Sequence, residues 1–121
     1  MVAQRKVAIV TGASQGIGAG VVKRFVERGF NVVANSRKMT QSTEVAASNH
    51  VALVDGDIGE SATAARIVET ALSRFKSIDV LVNNAGIFIT KPFTDYTAED
   101  FKSLVSTNLE GFLYLTQSSI K

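Results

Sequence analysis

The 121-residue sequence contains no cysteine, only one proline and a single histidine, His50. Without cysteine the chain has no disulfide, no thiolate nucleophile and no sulfur-ligated zinc. One histidine is too few for a multi-histidine metal site, so we predict no metal centre. The apolar runs are only a few residues long, too short for a signal peptide or a membrane span. We therefore expect a cytoplasmic protein with no membrane partner.

Neither sign of charge dominates the sequence. Thirteen basic and 11 acidic residues give a formal net charge of +2, and no run of Lys or Arg forms a basic stripe. A nucleic-acid-binding surface is therefore not predicted. With 45% hydrophobic residues, the chain has the composition of one globular domain, or of part of one.

Short apolar segments alternate with stretches whose apolar residues recur at helical spacing. The predicted strands carry no polar alternation, which is typical of a parallel sheet covered on both faces; they are Lys6–Val10, Asn31–Asn35, Val51–Val54 and Ile78–Val82. Gly29 is predicted to end the first helix, and Thr97 to cap the last. The stretch from Lys38 to Asn49 is predicted to be a loop with at most a short helix. The fold class is therefore α/β.

The apolar residues that define the predicted helices follow the same order along the chain. The three stripes are Val21, Val22, Phe25 and Val26; then Ala65, Val68, Ala71, Leu72 and Phe75; then Phe101, Leu104, Val105, Leu109, Phe112 and Leu113. The right-handed βαβ rule then predicts the strand order 3-2-1-4, with the glycine-rich segment at the carboxyl end of the first strand.

Three glycines, Gly12, Gly16 and Gly18, lie between the first strand and the first helix. Glycine lets the backbone approach a diphosphate closely, and the new helix offers free N–H groups to that anion. A Cβ at Gly16 or Gly18 would push the phosphate or the helix away. The glycines alone are equally compatible with a generic tight turn.

The spacing of these glycines, T-G-x-x-x-G-x-G, resembles the nucleotide turn of the short-chain dehydrogenase/reductase family. Asn83-Asn84-Ala85-Gly86 is similar to the N-N-A-G of that family, and Asp57-Ile58 to its adenine-contacting pair. The resemblance covers essentially the whole chain. It implies the N-terminal, nucleotide-binding part of a single Rossmann-type domain over residues 1–121, a doubly wound sheet of which these four strands are a part. The candidate cofactor-binding residues, of which Ser36 and Arg37 are argued separately below, are Gly12, Ser14, Gln15, Gly16, Ile17, Gly18, Ser36, Arg37, Asp57, Ile58, Asn84, Ala85 and Gly86.

Two asparagine positions remain open to more than one interpretation. Asn83 and Asn84 end a strand at the edge where open α/β sheets bind ligands, and their amides can tie loops together or face a ribose. Asn108 falls on the predicted buried stripe, so it is either a hydrogen-bonded core residue or, as the resemblance implies, a catalytic residue of the proton relay.

The end of the second strand reads Asn35-Ser36-Arg37-Lys38, and no acid occurs from Arg28 to Thr43. Nucleotide folds that hold a ribose 2′-hydroxyl usually place Asp or Glu there. Arg37 can instead bind a 2′-phosphate in forked geometry, and Ser36 can donate a hydrogen bond to it. We therefore predict NADP(H) over NAD(H). Alternatively, Arg37 and Lys38 are ordinary solvated charges.

The resemblance implies hydride transfer between the nicotinamide and a small-molecule carbonyl or alcohol, with a tyrosine and a lysine four residues later handling the proton. Neither Tyr96 nor Tyr114 has such a lysine. We therefore expect residues 1–121 alone to be inactive. Separately, we expect the natural protein to be a homo-oligomer. The alternative is a non-catalytic nucleotide-binding or interaction module. Binding of S-adenosylmethionine is disfavoured by the glycine spacing followed by N-N-A-G.

Overall fold

Four parallel strands form one sheet in the computed structural model, which describes residues 5–85, 95, 97–105 and 111–120. The strands are β1 (Val7–Thr11), β2 (Asn31–Ser36), β3 (Val51–Asp55) and β4 (Val80–Val82), arranged as β3-β2-β1-β4. This order confirms the predicted 3-2-1-4. The chain first builds outward from β1 through β2 to β3, then returns to the other side of β1. A ligand-binding crevice is expected at that reversal, beyond the carboxyl ends of β1 and β4.

Helical segments follow each of the four strands. They are α1 (Gly16–Glu27), a short 3₁₀ helix (Met39–Gln41), α2 (Ser61–Thr70) with a π-helical turn (Ala71–Phe75), α3 (Ala98–Val105) and α4 (Gly111–Ile120). Gly29 follows α1 with a φ of 86°, and its N–H donates to the Val26 carbonyl, as expected of a helix end. Thr97 and Asp100 exchange hydrogen bonds of 3.0 and 3.1 Å at the start of α3, which confirms the capping box. No helix in the described ranges is long and apolar enough to cross a membrane.

Hydrophobic clusters cover both faces of the sheet, as expected for a doubly wound fold. On one face, Ile9 and Val33 pack with α2, its π-helical turn and Leu115 of α4. On the other face, Val10 and Val32 pack with α1 and with the connection between β2 and β3. Burial on both sides explains why the strand residues show no polar alternation in the sequence.

The connection from β2 to β3 crosses the sheet without an α-helix. Parallel strands are usually joined through a helix, but residues 37–50 form only the three-residue 3₁₀ helix and loop. The side chains of Met39 and Val45 are buried in the core where a helix would otherwise supply apolar contacts. This confirms the predicted loop with a short helix. The same loop lies against the glycine turn.

The buried face of α2 differs from the predicted stripe. Ala71 and Phe75 are buried as predicted, but Ile67 replaces Val68 as the most buried apolar residue, and Leu72 is half exposed. Two apolar stripes lie side by side on this helix. The π-helical turn has more residues per turn than an α-helix, so Phe75 stays on the same buried face as Ile67 and Ala71. The other stripe, which includes Leu72, lies in a groove beside Ser118 of α4.

The strands are displaced slightly from their predicted bounds. β1 runs one residue further than predicted, to Thr11, and β4 begins at Val80 instead of Ile78. Asp79 explains the late start, because its carboxylate accepts a hydrogen bond of 2.8 Å from the Val7 N–H. The Asp79 N–H also donates to the Val7 carbonyl at 2.8 Å. Asp79 thus aligns β4 with β1 at the edge of the sheet opposite the predicted site.

Candidate nucleotide-binding site

A cavity of about 460 Å³ opens at the carboxyl edge of the sheet, a volume within the range typical of small-molecule sites. The glycine turn after β1 forms one wall, and the ends of β2 and β3 form the others. Eight predicted site residues line it: Gly12, Ser14, Gln15, Ser36, Arg37, Asp57, Ile58 and Ala85. The remaining lining residues, Asn35, Lys38 and Gly56, were not predicted. The fold thus brings together segments that lie far apart in the sequence.

Backbone conformation and close packing both favour glycine in the turn after β1. Gly16, the first residue of α1, has a φ of 60°, a conformation that L-residues rarely adopt. Gln15 makes no side-chain capping bond to the first turn of α1. At Gly18, an added Cβ would overlap the Gly12 carbonyl oxygen and lie 2.8 Å from Asn84 Nδ2. Gly18 therefore permits a close approach between α1 and the turn, whereas Gly16 permits the change of backbone direction.

Thr11 and Asn84 fasten the glycine turn to the end of β4. The buried Thr11 hydroxyl oxygen accepts hydrogen bonds of 3.0 and 2.9 Å from the backbone N–H groups of Asn84 and Ala85. The Asn84 side-chain amide donates to the Gly12 carbonyl at 3.1 Å. Asn83 points elsewhere, donating to Thr116 Oγ1 at 3.3 Å. These contacts support the loop-tying interpretation of both asparagines.

We expect Thr11→Val to destabilise the protein by about 1–3 kcal/mol, because two N–H groups at the end of β4 lose their acceptor. Thr11→Ser keeps the hydroxyl and should lose much less stability. Urea denaturation of the natural full-length chain checks both values. Equal losses in the two variants would show that the methyl group of Thr11, and not its hydroxyl, stabilises this junction.

The ends of β2 and β3 supply the charged wall of the cavity. The buried Asn35 side chain donates to the carbonyls of Val54 and Gly56 at 2.9 and 3.2 Å, which fixes the segment that leads to Asp57. Arg37 is largely exposed, with its Nη2 3.6 Å from Asp57 Oδ2. The guanidinium therefore lies at the mouth of the cavity, held by a solvent-screened ion pair that costs little to rearrange.

Asp55 anchors the 3₁₀ helix to the end of β3. Its carboxylate accepts hydrogen bonds of 2.7 Å from the Thr40 hydroxyl and 2.8 Å from the Thr40 N–H. These bonds, the one from the hydroxyl first, hold the pKa of Asp55 below its ordinary value. The carboxylate therefore remains ionised at neutral pH and keeps the start of the β2–β3 connection beside the cavity.

Two further residues of that connection contact the glycine turn and were not predicted. The Ser42 hydroxyl donates to the Ser14 carbonyl at 2.6 Å. Glu44, one residue beyond the acid-free stretch in the sequence, accepts a hydrogen bond of 3.2 Å from the Gly16 N–H. No sequence motif marks either residue, because each contact spans 28 residues of chain.

Six predicted site residues lie away from the cavity wall or outside the described residues, and Gly16 and Asn84, described above, are two of them. Ile17 is 79% exposed on the first turn of α1. Gly18 packs against the Gly12 carbonyl and does not line the cavity. Gly86 and Asn108 fall outside the described residues. Within those residues, no group of three His, Cys, Asp or Glu side chains is placed to hold a metal ion.

Comparison with known proteins identifies the family. The model of the short chain dehydrogenase family matches residues 6–121. The chain belongs to the short-chain dehydrogenase family. The resemblance seen in the glycine turn and in N-N-A-G is thereby confirmed, and the four-stranded sheet is the N-terminal portion of the fold of that family.

Individual short-chain dehydrogenases match at moderate identity. The NADP-dependent (R)-specific alcohol dehydrogenase of Lentilactobacillus kefiri is 34% identical in an alignment of 120 residues, which covers 96% of this chain and 48% of that protein. A 3-ketoacyl-(acyl-carrier-protein) reductase from Brucella melitensis, solved with NADH, is 35% identical with a TM-score of 0.86, covering 94% of this chain and 48% of that one. A glucose/ribitol dehydrogenase-type member from the same organism has a TM-score of 0.88 at 29% identity, over 97% and 52% of the two chains. The chain thus spans about half the length of the relatives it matches.

Proposed function

We propose that the natural protein is an NADP(H)-preferring oxidoreductase that interconverts a small-molecule carbonyl and alcohol by hydride transfer. Residues 1–121 would form the N-terminal dinucleotide-binding part of a single Rossmann-type domain. The observation that carries this proposal is the cavity in which the glycine turn, Arg37 and the pair Asp57-Ile58 converge. Membership of the short-chain dehydrogenase family supports hydride transfer as the class of reaction.

Each wall of the cavity suits one part of the cofactor. The first turn of α1 offers backbone N–H groups and the positive end of the helix dipole to the diphosphate. Asp57 and the buried Ile58 are the pair to which the family resemblance assigns contact with the adenine. Arg37, with Ser36 and Lys38 beside it, offers a forked cation to a 2′-phosphate. The close approach at Gly18 supports this fit, because any side chain there would displace the cradle.

The choice between the two cofactors rests on Arg37. Its ion pair with Asp57 is exposed to solvent, so the guanidinium can turn to a 2′-phosphate at little cost. The name of the Lentilactobacillus relative describes it as NADP-dependent, whereas the Brucella reductase was solved with NADH. The relatives therefore do not decide the preference, and the local charge at Arg37 is our reason for proposing NADP(H).

The remaining roles belong to the whole natural protein. When bound, the nicotinamide supplies or accepts the hydride, and by family resemblance Asn108 would take part in the proton relay. We also propose a cytoplasmic homo-oligomer. Leu72 of α2 and Leu113 of α4, each 49% exposed, are apolar surface that association with a second copy would cover.

The activity is tested by following NADPH oxidation by the natural full-length protein against a panel of aldehydes and ketones. We expect turnover with at least one carbonyl class, and slower turnover when NADH replaces NADPH. NADPH binding without turnover on any carbonyl or alcohol would favour the non-catalytic module. Failure of both nucleotides to bind would overturn the proposed site.

A further inference from the structure

Two hydrogen bonds join the β2–β3 connection to the glycine turn, one from Ser42 and one to Glu44. Val45 is buried in the core beneath it. The Ser42 hydroxyl bonds the Ser14 carbonyl and also accepts from the N–H groups of Glu44 and Val45, both at 3.2 Å. These contacts fix the backbone on both sides of Glu44. Its carboxylate lies within hydrogen-bonding distance of the Gly16 N–H at the start of α1, although the side chain itself is exposed.

The atom that Glu44 contacts is one of the backbone N–H groups at the start of α1 that are proposed above to bind the diphosphate. Gly16 is the first residue of α1, and its N–H is among the helix-terminal donors that have no partner within the helix. A phosphate oxygen and a carboxylate oxygen are both anionic acceptors, so they compete for such a donor. Glu44 Oε2 already holds it at 3.2 Å.

We propose that Glu44 is a built-in competitor for the cofactor diphosphate. Its carboxylate occupies the Gly16 N–H when the site is empty and must leave before the diphosphate can use that donor. This inference rests on the proposed cofactor site, but it concerns a residue and a competition that the family resemblance does not supply. Because the diphosphate is common to NADPH and NADH, Glu44 lowers the affinity for both and leaves the preference between them to Arg37.

Calorimetric titration of the natural full-length protein with NADPH and with NADH tests this competition. We expect Glu44→Ala to lower the Kd of both nucleotides about two- to fivefold, the range for one anion at a helix N-terminus. Glu44→Asp should show most of the same gain. It keeps the charge, but its side chain is one methylene shorter on a backbone that Ser42 and Val45 hold in place.

Glu27→Ala is the matched control, because it removes the same charge from the far end of α1, about 16 Å along the helix and beyond the range of strong electrostatic influence. It should leave both Kd values unchanged. Three results would overturn the proposal while the cofactor site stands: wild-type affinity in Glu44→Ala, wild-type affinity in Glu44→Asp, or a gain for NADPH without one for NADH. Failure of the unaltered protein to bind either nucleotide would instead remove the proposed function.

Discussion

Replacing Gly18 by alanine is expected to weaken cofactor binding about tenfold to a hundredfold. The new Cβ would overlap the Gly12 carbonyl oxygen, so α1 and the glycine turn would have to separate. Overpacking of this kind costs about 1–3 kcal/mol, and each 1.4 kcal/mol that falls on the binding site is about tenfold in affinity. Calorimetry with NADPH measures the affinity, and urea denaturation of the natural full-length protein measures the stability.

Gly20→Ala provides the control within the same helix. A Cβ at Gly20 would meet no atom within 4 Å, and the residue is exposed. The substitution should stabilise α1 by up to about 1 kcal/mol, since alanine is the better helix former, and should not change the affinity. If Gly18→Ala binds NADPH as tightly as Gly20→Ala does, the close contact at Gly18 has no part in forming the cradle.

Arg37→Asp is expected to reverse the preference between the two nicotinamide cofactors. The change removes a forked cation at the mouth of the cavity and places a second carboxylate beside Asp57, whose own oxygen lies 3.6 Å from the arginine in the unaltered protein. Losing a hydrogen-bonded charge of this kind costs about 1.5–3 kcal/mol, and repulsion of the 2′-phosphate adds to it. We therefore expect NADPH affinity to fall at least about tenfold, with NADH affinity little changed or raised.

Lys23→Asp makes the same change of net charge on the exposed side of α1, away from the cavity, and should alter neither affinity. Parallel calorimetric titrations of NADPH and NADH on both variants give the comparison. Equal affinities of the unaltered protein for the two cofactors would contradict the assignment of Arg37. So would an Arg37→Asp variant that still prefers NADPH.

The strand order was predictable because its signals are local, and most of the cavity wall was predictable from the resemblance to the short-chain dehydrogenase/reductase family. Apolar runs mark strands that are buried on both faces, and the glycine spacing marks the turn between β1 and α1. The capping box at Thr97 and the helix end at Gly29 are likewise indicated by a few consecutive residues. Side chains such as Arg37 and Asp57 then meet because parallel strands end at one edge of the sheet.

The contacts that were not predicted join segments with no shared pattern. Glu44 reaches Gly16 across 28 residues, and only the folded position of the helix-free crossover reveals it. At α2, two adjacent apolar stripes have nearly the same periodicity, and only the folded packing shows that Ile67, Ala71 and Phe75 face the core. Gly111 is a third case: a Cβ there would lie 2.7 Å from Ile58 Cγ2, so its small size serves the packing of α4 against the cavity wall.

A crystal structure of the natural full-length protein with NADPH would test the central claim most directly. We expect the diphosphate on the N–H groups at the start of α1, with the Glu44 carboxylate displaced from Gly16. The adenine should lie beside Asp57 and Ile58, and the 2′-phosphate should be within hydrogen-bonding distance of Arg37. A nucleotide bound elsewhere, or one whose 2′-phosphate points to solvent away from Arg37, would contradict the account.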